Sequence, residues 1–320
     1  MSDEPNLGPN QATWERDALT RLAGAALLEQ RRSRRWSIFF RLAFLGYLIV
    51  LGVLLVPKDL SGGGTGPHTA VVRLEGVITS SGDADAKSVI KGLRSAFADK
   101  NTVAVVLEIN SPGGSPVQAG QMHDEILRLR EKYPDIPLYS VIDDICASGG
   151  YYVAAASERI YADKASIVGS IGVLMNGFGF VETLDKLGIE RRLLTAGAHK
   201  GSLDPFSPID VAAVTHIQSM LDDIHQQFIE VVKAGRGERL KDQPELFSGL
   251  VWSGEQSLEL GLIDGLASLG EVARDIVNAE EIVDFTVGES YLDRLSRRMG
   301  AAAGESIAAK LGVASQFEFK

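Results

Sequence analysis

Cysteine is nearly absent from this sequence, and so are several features that would point to particular chemistries. Cys146 is the only cysteine among 320 residues, so the chain can form no internal disulfide. The formal net charge is −10, and this acidic balance argues against nucleic acid as a partner. No cluster of histidine, cysteine and carboxylate residues has metal-ligand spacing, and no G-x-S-x-G motif occurs. We therefore expect no metal and no cofactor, and an α/β-hydrolase is disfavoured.

Long hydrophobic runs are also rare, with one exception near the N-terminus. Residues 37–56 form an apolar segment of about twenty residues, which is long enough to cross a bilayer as a helix. The segment after it begins with a single lysine, whereas its N-terminal side is crowded by Arg31, Arg32, Arg34, Arg35 and Arg41. The positive-inside rule then puts residues 1–36 in the cytoplasm and the remainder of the chain outside it.

Two other interpretations of this segment are weaker. A cleaved signal peptide needs a short basic head and a small-x-small cleavage site, whereas this head has about thirty-five residues and no Ala-x-Ala follows the run. A buried core helix does not explain the step in charge. The SRRWSIF string resembles a twin-arginine signal, but membrane topology already accounts for its basic residues. We therefore interpret residues 37–56 as an uncleaved transmembrane signal anchor in the inner (cytoplasmic) membrane.

The rest of the chain divides into a glycine-rich flexible linker at residues 57–67 and one α/β domain at residues 68–320. Strands and helices alternate through the domain, which predicts a parallel sheet with crossover helices. The predicted strands are 70–77, 103–109, 137–142, 159–162, 167–174 and 190–194, and the predicted helices are 86–99, 116–133, 148–157, 181–187, 210–234, 254–261 and 268–278. Further helices are expected at residues 12–35 and in the tail from Tyr291 onwards.

The CASGGYY string around Ser148 is the most informative part of the domain. Gly149 and Gly150 follow the serine and permit a tight strand-to-helix turn. The first amides of the following helix lack intrahelical partners and point toward its N-terminus, where a developing oxyanion would be stabilised. The alternative is that Ser148 merely caps this helix, and the motif alone does not decide. Cys146 is expected to be a small core residue beside the site.

A second glycine-rich loop, NSPGG at residues 110–114, follows an apolar strand. Pro112 and Gly113 suit the central positions of a type II turn, which is a purely structural explanation. The functional explanation is that successive glycines expose backbone N–H groups at the carboxyl end of a strand, where ligands bind in α/β sheets. Gly114 would then donate a second hydrogen bond to the oxyanion, beside Gly149.

A serine hydroxyl needs a base to accept its proton, and the AGAHKGSL string offers two candidates. Lys200 can serve only as the neutral amine, a form that burial among small apolar residues favours. His199 would need an acid behind it, as in a Ser-His-Asp triad. His123, His216 and His225 fall within predicted helices and are expected to be structural. The residues alone do not decide between His199 and Lys200.

Four motifs together resemble those of the family S49 serine peptidases, the signal peptide peptidase A group in its short single-domain form. They are NSPGG, CASGGYYVAAA, SIVGSIGV and HKGSLDPF, in this order over roughly residues 70–270. The resemblance implies that Ser148 is the nucleophile, that Lys200 is the general base, and that Gly114 and Gly149 supply the oxyanion amides. Ser170, in VGSIGV, would orient the lysine through a hydrogen bond; the alternative is a hydroxyl that satisfies a local turn.

The resemblance also implies a ClpP/crotonase-like superhelix of repeated strand-strand-helix units, here preceded by one transmembrane helix. Members form membrane-tethered, bowl-shaped oligomers, so we expect a homo-oligomeric ring, an octamer by analogy, whose sites neighbouring subunits can complete. The implied function is periplasmic hydrolysis of cleaved signal peptides and other short apolar peptides by a Ser-Lys dyad. A crotonase-like acyl-CoA enzyme and a non-catalytic membrane scaffold with the same fold are the alternatives.

Overall fold

The N-terminal part of the chain contributes one apolar helix, α1, at Arg34–Gly52. The computed structural model describes residues 34–52, 66–82 and 84–288. Among these residues, α1 is the one helix whose length and composition allow it to cross a membrane. Met1–Ser61 and Gly62–Lys320 form separate compact units. Most of the predicted helix at 12–35, the end of the predicted membrane segment, most of the linker and the tail from Tyr291 lie outside the described residues.

A mostly parallel sheet organises the second unit. Its strands are β1 His68–Glu75, β2 Thr102–Ser111, β3 Leu138–Ala147, β4 Arg159–Ala162, β5 Ile167–Gly169, β6 Val251–Ser253, β7 Gly265–Leu266 and β8 Ile282–Asp284. Along the main path the order is β6-β5-β3-β2-β1-β8, while β4 pairs with β3 and β7. Among the described strands, the pairing of β5 with β6 is antiparallel and the others are parallel. The predicted α/β class is confirmed.

Helices connect the strands, as the alternating pattern predicts. They are α2 Ala86–Ala98, α3 Pro116–Lys132, α4 Gly149–Ala154, α5 Val181–Lys186, α6 Val211–Arg236, α7 Gly254–Leu260 and α8 Leu269–Glu271, which continues as a π-helical turn at Val272–Val277. Side-chain caps fix several of their starts. Asp85 accepts hydrogen bonds from the first amides of α2, and Ser115 caps α3, whose first residue is Pro116.

Both faces of the sheet are covered, and this explains why its strands read as nearly continuous apolar runs. Side chains alternate across a strand, so neighbouring residues such as Val71 and Val72 enter different clusters. The larger cluster joins the sheet to α2, α3, α4 and α6 and includes Phe228. The smaller cluster packs Val71 and Val106 against Val272.

The central strand β3 changes neighbours along its length. Residues 139–142 pair with β4, whereas residues 145–147 pair with β5. The register between β2 and β3 shifts between Ile109 and Ser111, where a local irregularity bends the ladder. The strand therefore continues past its predicted end at residue 142 and finishes at Ala147, directly before Ser148.

Residues 172–210, which we call the extension, connect the end of the β5 region to α6. The described side chains of residues 174–200 are exposed, with Leu184 half-buried. Large apolar side chains are among the exposed ones, including Leu174, Phe178, Leu187, Leu194 and Ile209. The predicted strand at 190–194 does not form, because no described strand lies beside it to complete a ladder. The predicted strand at 167–174 likewise ends at Gly169.

Candidate active site

Ser148 lies at the junction of β3 and α4, where the backbone is strained. Its φ of 51° and ψ of −122° fall in a region that residues other than glycine rarely adopt. Its amide donates to Gly169 O at 2.8 Å, and Tyr152 N donates to Ser148 O at 3.0 Å. Although Ser148 occupies the N-cap position of α4, its side chain makes no capping hydrogen bond. Helix capping therefore does not explain this serine, and its hydroxyl is free to take part in chemistry.

Gly113 and Gly114 form a turn that packs directly against Ser148 and Gly149. The φ of Gly113 is 96° and that of Gly114 is 145°, both in the region that favours glycine. A Cβ on Gly113 would lie 2.6 Å from Gly149 N and 2.7 Å from Ser148 Cβ. Gly114 N lies 3.3 Å from the position that a Cβ on Gly149 would take. Neither the Gly114 nor the Gly149 amide donates to a described acceptor, so two donors are available beside Ser148.

Ser170 lies beside Ser148 because the two residues follow paired positions on neighbouring strands. Ala147 of β3 is in register with Gly169 of β5, and paired strands lie about 4.8 Å apart. Ser170 also has a positive φ, 50°, and its amide donates to Leu250 O at 2.7 Å. Its hydroxyl makes no hydrogen bond within the described part of the chain, so the satisfaction of a local turn does not account for it.

A cleft of about 600 Å³ opens at Ser148 and is also lined by Gly114, Gly149 and Ser170. Much of the remaining wall is apolar and comes from α3, α4, α6 and the start of the extension, with Leu174, Ile224 and Phe228 as large members. Tyr152 is the one ionisable side chain among the described residues that line it. Across the described ranges, no group of three or more His, Cys, Asp and Glu side chains is placed to hold a metal ion.

Neither predicted base lines this cleft in the single chain. Lys200 lies in an exposed turn of the extension, where its amide donates to Gly197 O at 3.2 Å. The apolar enclosure expected for Lys200 is therefore missing within one chain, because the extension that carries it is itself exposed. His199 is exposed as well, and its Nδ1 lies 3.1 Å from Asp210 Oδ2. This hydrogen bond lowers the pKa of the Asp210 carboxyl.

Two histidines and the cysteine near the cleft have structural roles, as the sequence predicts. The Nε2 atom of His225 lies 3.1 Å from Ile171 O, so α6 is tied to the segment that follows Ser170. The ring of His123 packs edge-on against Tyr152, with 5.3 Å between centroids. Cys146 is fully buried in the core, and burial raises the pKa of its thiol. The prediction that Cys146 is a core residue is confirmed.

Two cleft residues, Tyr152 and Phe228, were not singled out by sequence reasoning. Their rings pack together with 5.1 Å between centroids. The sequence contained a signal for each residue: Tyr152 stands one helical turn after Ser148, and Phe228 recurs at helical spacing with Ile224 and Val231 in the predicted helix at 210–234. The sequence does not reveal that α6, about eighty residues later in the chain, packs over α4 next to Ser148.

Comparison with known proteins assigns the chain to a family. The family model of peptidase family S49 matches residues 130–282, which include Ser148, Ser170 and Lys200. A protein of Synechocystis sp., described as a candidate protease, is 30% identical over 231 residues, covering 67% of this chain and 82% of the relative. A candidate signal peptide peptidase SppA of Enterococcus faecium is 27% identical over 243 residues, covering 73% of this chain and 70% of the relative.

Two other relatives have higher sequence identity to this chain, but the chain covers only 28% of each relative's length. A protein of Brucella abortus named Na(+)/H(+) antiporter NhaA is 43% identical over 209 residues, which are 64% of this chain and 28% of that protein. A Brucella melitensis protein of the same name is also matched over 28% of its length. Most of each Brucella protein therefore lies outside the region that matches this chain, whereas the Synechocystis relative is matched over most of its length. This chain belongs to peptidase family S49.

Proposed function

We propose that this chain is a membrane-anchored serine endopeptidase that cleaves short apolar peptides, among them signal peptides already released from their precursors. The observation that carries the proposal is the unbonded hydroxyl of Ser148, held in a strained turn beside two glycine amides in a largely apolar cleft. Backbone strain of this kind costs on the order of 1–3 kcal/mol and clusters at active sites, where the surrounding structure imposes it.

In the proposed reaction, Ser148 Oγ attacks the carbonyl carbon of the peptide while Lys200 takes its proton. Negative charge develops on the carbonyl oxygen, and the N–H groups of Gly114 and Gly149 donate to it. The tetrahedral intermediate then collapses: the C–N bond breaks, the lysine ammonium returns its proton to the leaving amine, and an acyl-enzyme remains. Water, deprotonated by the same amine, hydrolyses this ester and regenerates Ser148.

The arrangement of the single chain favours a Lys200 supplied by a neighbouring copy. No Asp, Glu, His, Lys or Arg is among the described residues that line the cleft, so one chain holds the nucleophile without a base. Lys200 lies on the exposed extension together with large exposed apolar side chains such as Phe178 and Leu194. Burying that surface against a second copy would be favourable, and a lysine brought into an apolar cleft is driven toward its neutral form.

A closed ring follows from this head-to-tail arrangement, because each copy gives one lysine and receives another. An octamer is the proposed size, by analogy with single-domain members. In the assembled site, Ser170 is proposed to hydrogen-bond the neutral amine of Lys200 and so to orient it. Leu174, Ile224 and Phe228 provide apolar surface for substrate side chains, and the peptide backbone would bind as an added strand.

Helix α1 is proposed to be the uncleaved anchor in the inner membrane, with its N-terminus in the cytoplasm and the second unit in the periplasm. Its length and the arginines before it support this orientation. A reporter enzyme that is active only in the periplasm should therefore be active when it is fused after Lys320. An inactive reporter, or a mature chain that begins beyond residue 56, would contradict the proposed topology.

The two alternative functions have weaker support. A crotonase-like acyl-CoA enzyme would use its oxyanion amides together with carboxylates, and no carboxylate is found among the described residues that line the cleft. A non-catalytic scaffold would have no use for a strained serine whose hydroxyl makes no structural hydrogen bond.

A fluorophosphonate probe tests the proposed function directly, because it labels only activated serines. The full-length chain in detergent should be labelled at Ser148. Ser148→Ala should abolish labelling, and Lys200→Ala should slow it by about a hundredfold or more. His199→Ala is the matched control next to the base and should keep most of the labelling. Absence of labelling of the wild-type chain, or labelling that survives Ser148→Ala, would refute the proposal.

A further inference from the structure

A second cavity lies beside the cleft, and the proposed function does not use it. It has a volume of about 780 Å³ and is open to solvent, and we call it the far cavity. Tyr152 and Gln227 line both the cleft and the far cavity, so these two side chains divide one groove into two compartments. The groove follows α4 from Ser148 to the residues after its C-terminal end, with α3 on one side and α6 on the other.

The dividing side chain Tyr152 is fixed by packing but has an unused polar group. Its ring lies against Phe228 on the cleft side and His123 on the far-cavity side. Its hydroxyl forms no hydrogen bond with the described residues. Burial raises the pKa of Tyr152, so the phenol stays neutral at physiological pH and can donate a hydrogen bond to a ligand that passes over it.

The far cavity differs from the cleft in its charge. Arg130, Arg159 and Arg239 line it together with two carboxylates, Glu158 and Glu230. The cleft has no charged lining residue among those described. Arg239 is already engaged, because its Nη1 donates to Asp264 Oδ1 at 3.1 Å. A groove that is apolar at one end and has guanidinium groups at the other matches a peptide that carries apolar side chains near the cleaved bond and an acidic group farther away.

Arg130 is incompletely satisfied. Its Nη1 donates to Ala156 O at 2.6 Å, but its enclosed Nε has no hydrogen-bond acceptor. The closest carboxylate, that of Glu158, lies 3.7 Å from this nitrogen, which is too far for a hydrogen bond. A guanidinium binds a carboxylate best through two parallel hydrogen bonds. The Nη2 group of Arg130 makes no hydrogen bond to the described residues and is not enclosed, so a ligand carboxylate can bind there and reach Nε after a small movement of the side chain.

We propose that the far cavity is a second subsite for the same peptide and that it binds one carboxylate of the substrate, from an Asp or Glu side chain or from the peptide's own C-terminus. The proposal rests on the peptidase function proposed above. The six residues of α4 span about 9 Å, which is the length of about three residues of extended peptide. The carboxylate should therefore lie about three to five residues from the scissile bond.

The test uses the full-length wild-type chain in detergent and a set of apolar peptides with both ends capped. Each peptide carries one Glu, or one Gln as its neutral partner, at a defined distance from the cleaved bond on either side. A further pair ends in a free carboxylate or a carboxamide, so that side-chain and terminal carboxylates are distinguished. At one position, Glu should raise kcat/KM about tenfold over Gln, mainly through KM, and high salt should reduce the ratio.

Variants then assign the preference to the far cavity. Arg130→Gln should bring the Glu-to-Gln ratio close to one, whereas Glu230→Gln should increase it, because a competing carboxylate is removed. Arg128→Gln is the matched control: it lies on the same helix, pairs with Glu125 and does not line the cavity, so it should leave the ratio unchanged. Glu230 is exposed and its hydrogen bond is to Gln226, so Glu230→Gln still decides the question if Arg130→Gln fails to fold.

The outcomes separate this inference from the function on which it rests. If the wild-type chain cleaves none of the peptides, the proposed peptidase function fails and the subsite fails with it. If the peptides are cleaved with equal efficiency whether they carry Glu, Gln or a free terminal carboxylate, the second subsite alone is refuted. A preference for Glu that does not change in either Arg130→Gln or Glu230→Gln also refutes it.

Discussion

The two residues proposed as the dyad lie in regions of opposite character. Ser148 directly follows the central strand β3 of a sheet that is covered on both faces, and its turn is enclosed by glycine backbone and by β5. Lys200 lies on the extension, where side chains from residue 174 to residue 200 are exposed apart from the half-buried Leu184. One chain therefore positions the proposed nucleophile beside the two proposed oxyanion donors but leaves the proposed base in solvent.

This difference follows from what each residue requires. A strained backbone such as that of Ser148 persists only where surrounding packing over-determines it, so the nucleophile belongs in the best-packed part of the fold. Under the proposed sharing of sites, a base that serves another copy would instead remain exposed until assembly, and its carrier would present apolar surface to the partner. If the proposed assembly forms, folding of one chain and completion of its site are separate steps.

The largest expected effect tests the two halves of the dyad. Ser148→Ala and Lys200→Ala should each lower hydrolysis of a fluorogenic apolar peptide by about a thousandfold or more, because dyad members act as a unit. Lys200→Arg should be equally inactive, since a guanidinium does not lose its proton near neutral pH. His199→Ala should keep substantial activity. An active Lys200→Arg enzyme, or an inactive His199→Ala beside an active Lys200→Ala, would show that the base is misassigned.

The second prediction concerns the packed region around Ser148, where the Gly113 turn lies. Gly113→Ala should reduce stability by about 1–3 kcal/mol through its positive φ and its clash with Ser148, and peptidase activity should fall with it. Gly120→Ala is the matched control, because Gly120 lies in the second turn of α3 and a Cβ there meets nothing within 4 Å, so the substitution should raise stability by about 0.5–1 kcal/mol. Urea unfolding and peptide hydrolysis measure both. Equal behaviour of the two variants would mean that the turn is not constrained.

A smaller effect is expected from Ser170→Ala. Loss of its hydroxyl should lower kcat/KM by about tenfold, which is less than the loss of Lys200, because the proposed role of Ser170 is to orient the base and not to carry the proton. The pH dependence of kcat/KM distinguishes this role from a structural one: removal of a partner of the lysine should shift the profile. An unchanged profile, or activity equal to that of the wild type, would remove Ser170 from the site.

The sequence predicted the packed region better than the extension, for physical reasons. The predicted strand at 159–162 matches β4 at both ends, and the predicted helix at 116–133 is only one residue longer than α3. These predictions are accurate because the spacing of apolar residues reflects burial within one chain. The expected strand at 190–194 failed because its apolar residues do not face a partner strand of this chain. Motif resemblance named both Ser148 and Lys200, but it carries no information about which chain supplies the lysine to a given serine.

The smallest predicted effect compares ion pairs in the two regions. Glu125 in α3 accepts hydrogen bonds from Arg128 and from Arg94, which lower the pKa of its carboxyl to about 2 from 4.5. A depressed folded-state pKa gives stability that is present above pH 4.5 and is lost as the pH falls toward 2. Glu125→Gln should therefore lower the Tm by a few degrees at most at neutral pH, and by progressively less below pH 4.5.

The control for this pair is Glu190→Gln in the extension, where the Glu190–Arg192 pair is exposed on both sides. Its removal should leave the Tm unchanged at every pH. If Glu125→Gln and Glu190→Gln change the Tm by the same amount across this pH range, the buried and the exposed ion pair contribute equally to stability, and this prediction is wrong.

Complementation between two inactive chains tests the central claim most directly. Full-length Ser148→Ala and Lys200→Ala chains, each inactive alone, are co-expressed with different tags and purified as a mixed assembly. If each site combines the serine of one copy with the lysine of its neighbour, random mixing in equal amounts restores about one quarter of the sites and a similar share of the peptidase activity. If both residues of each site come from the same chain, the mixed assembly remains inactive, and the account of a shared site is wrong.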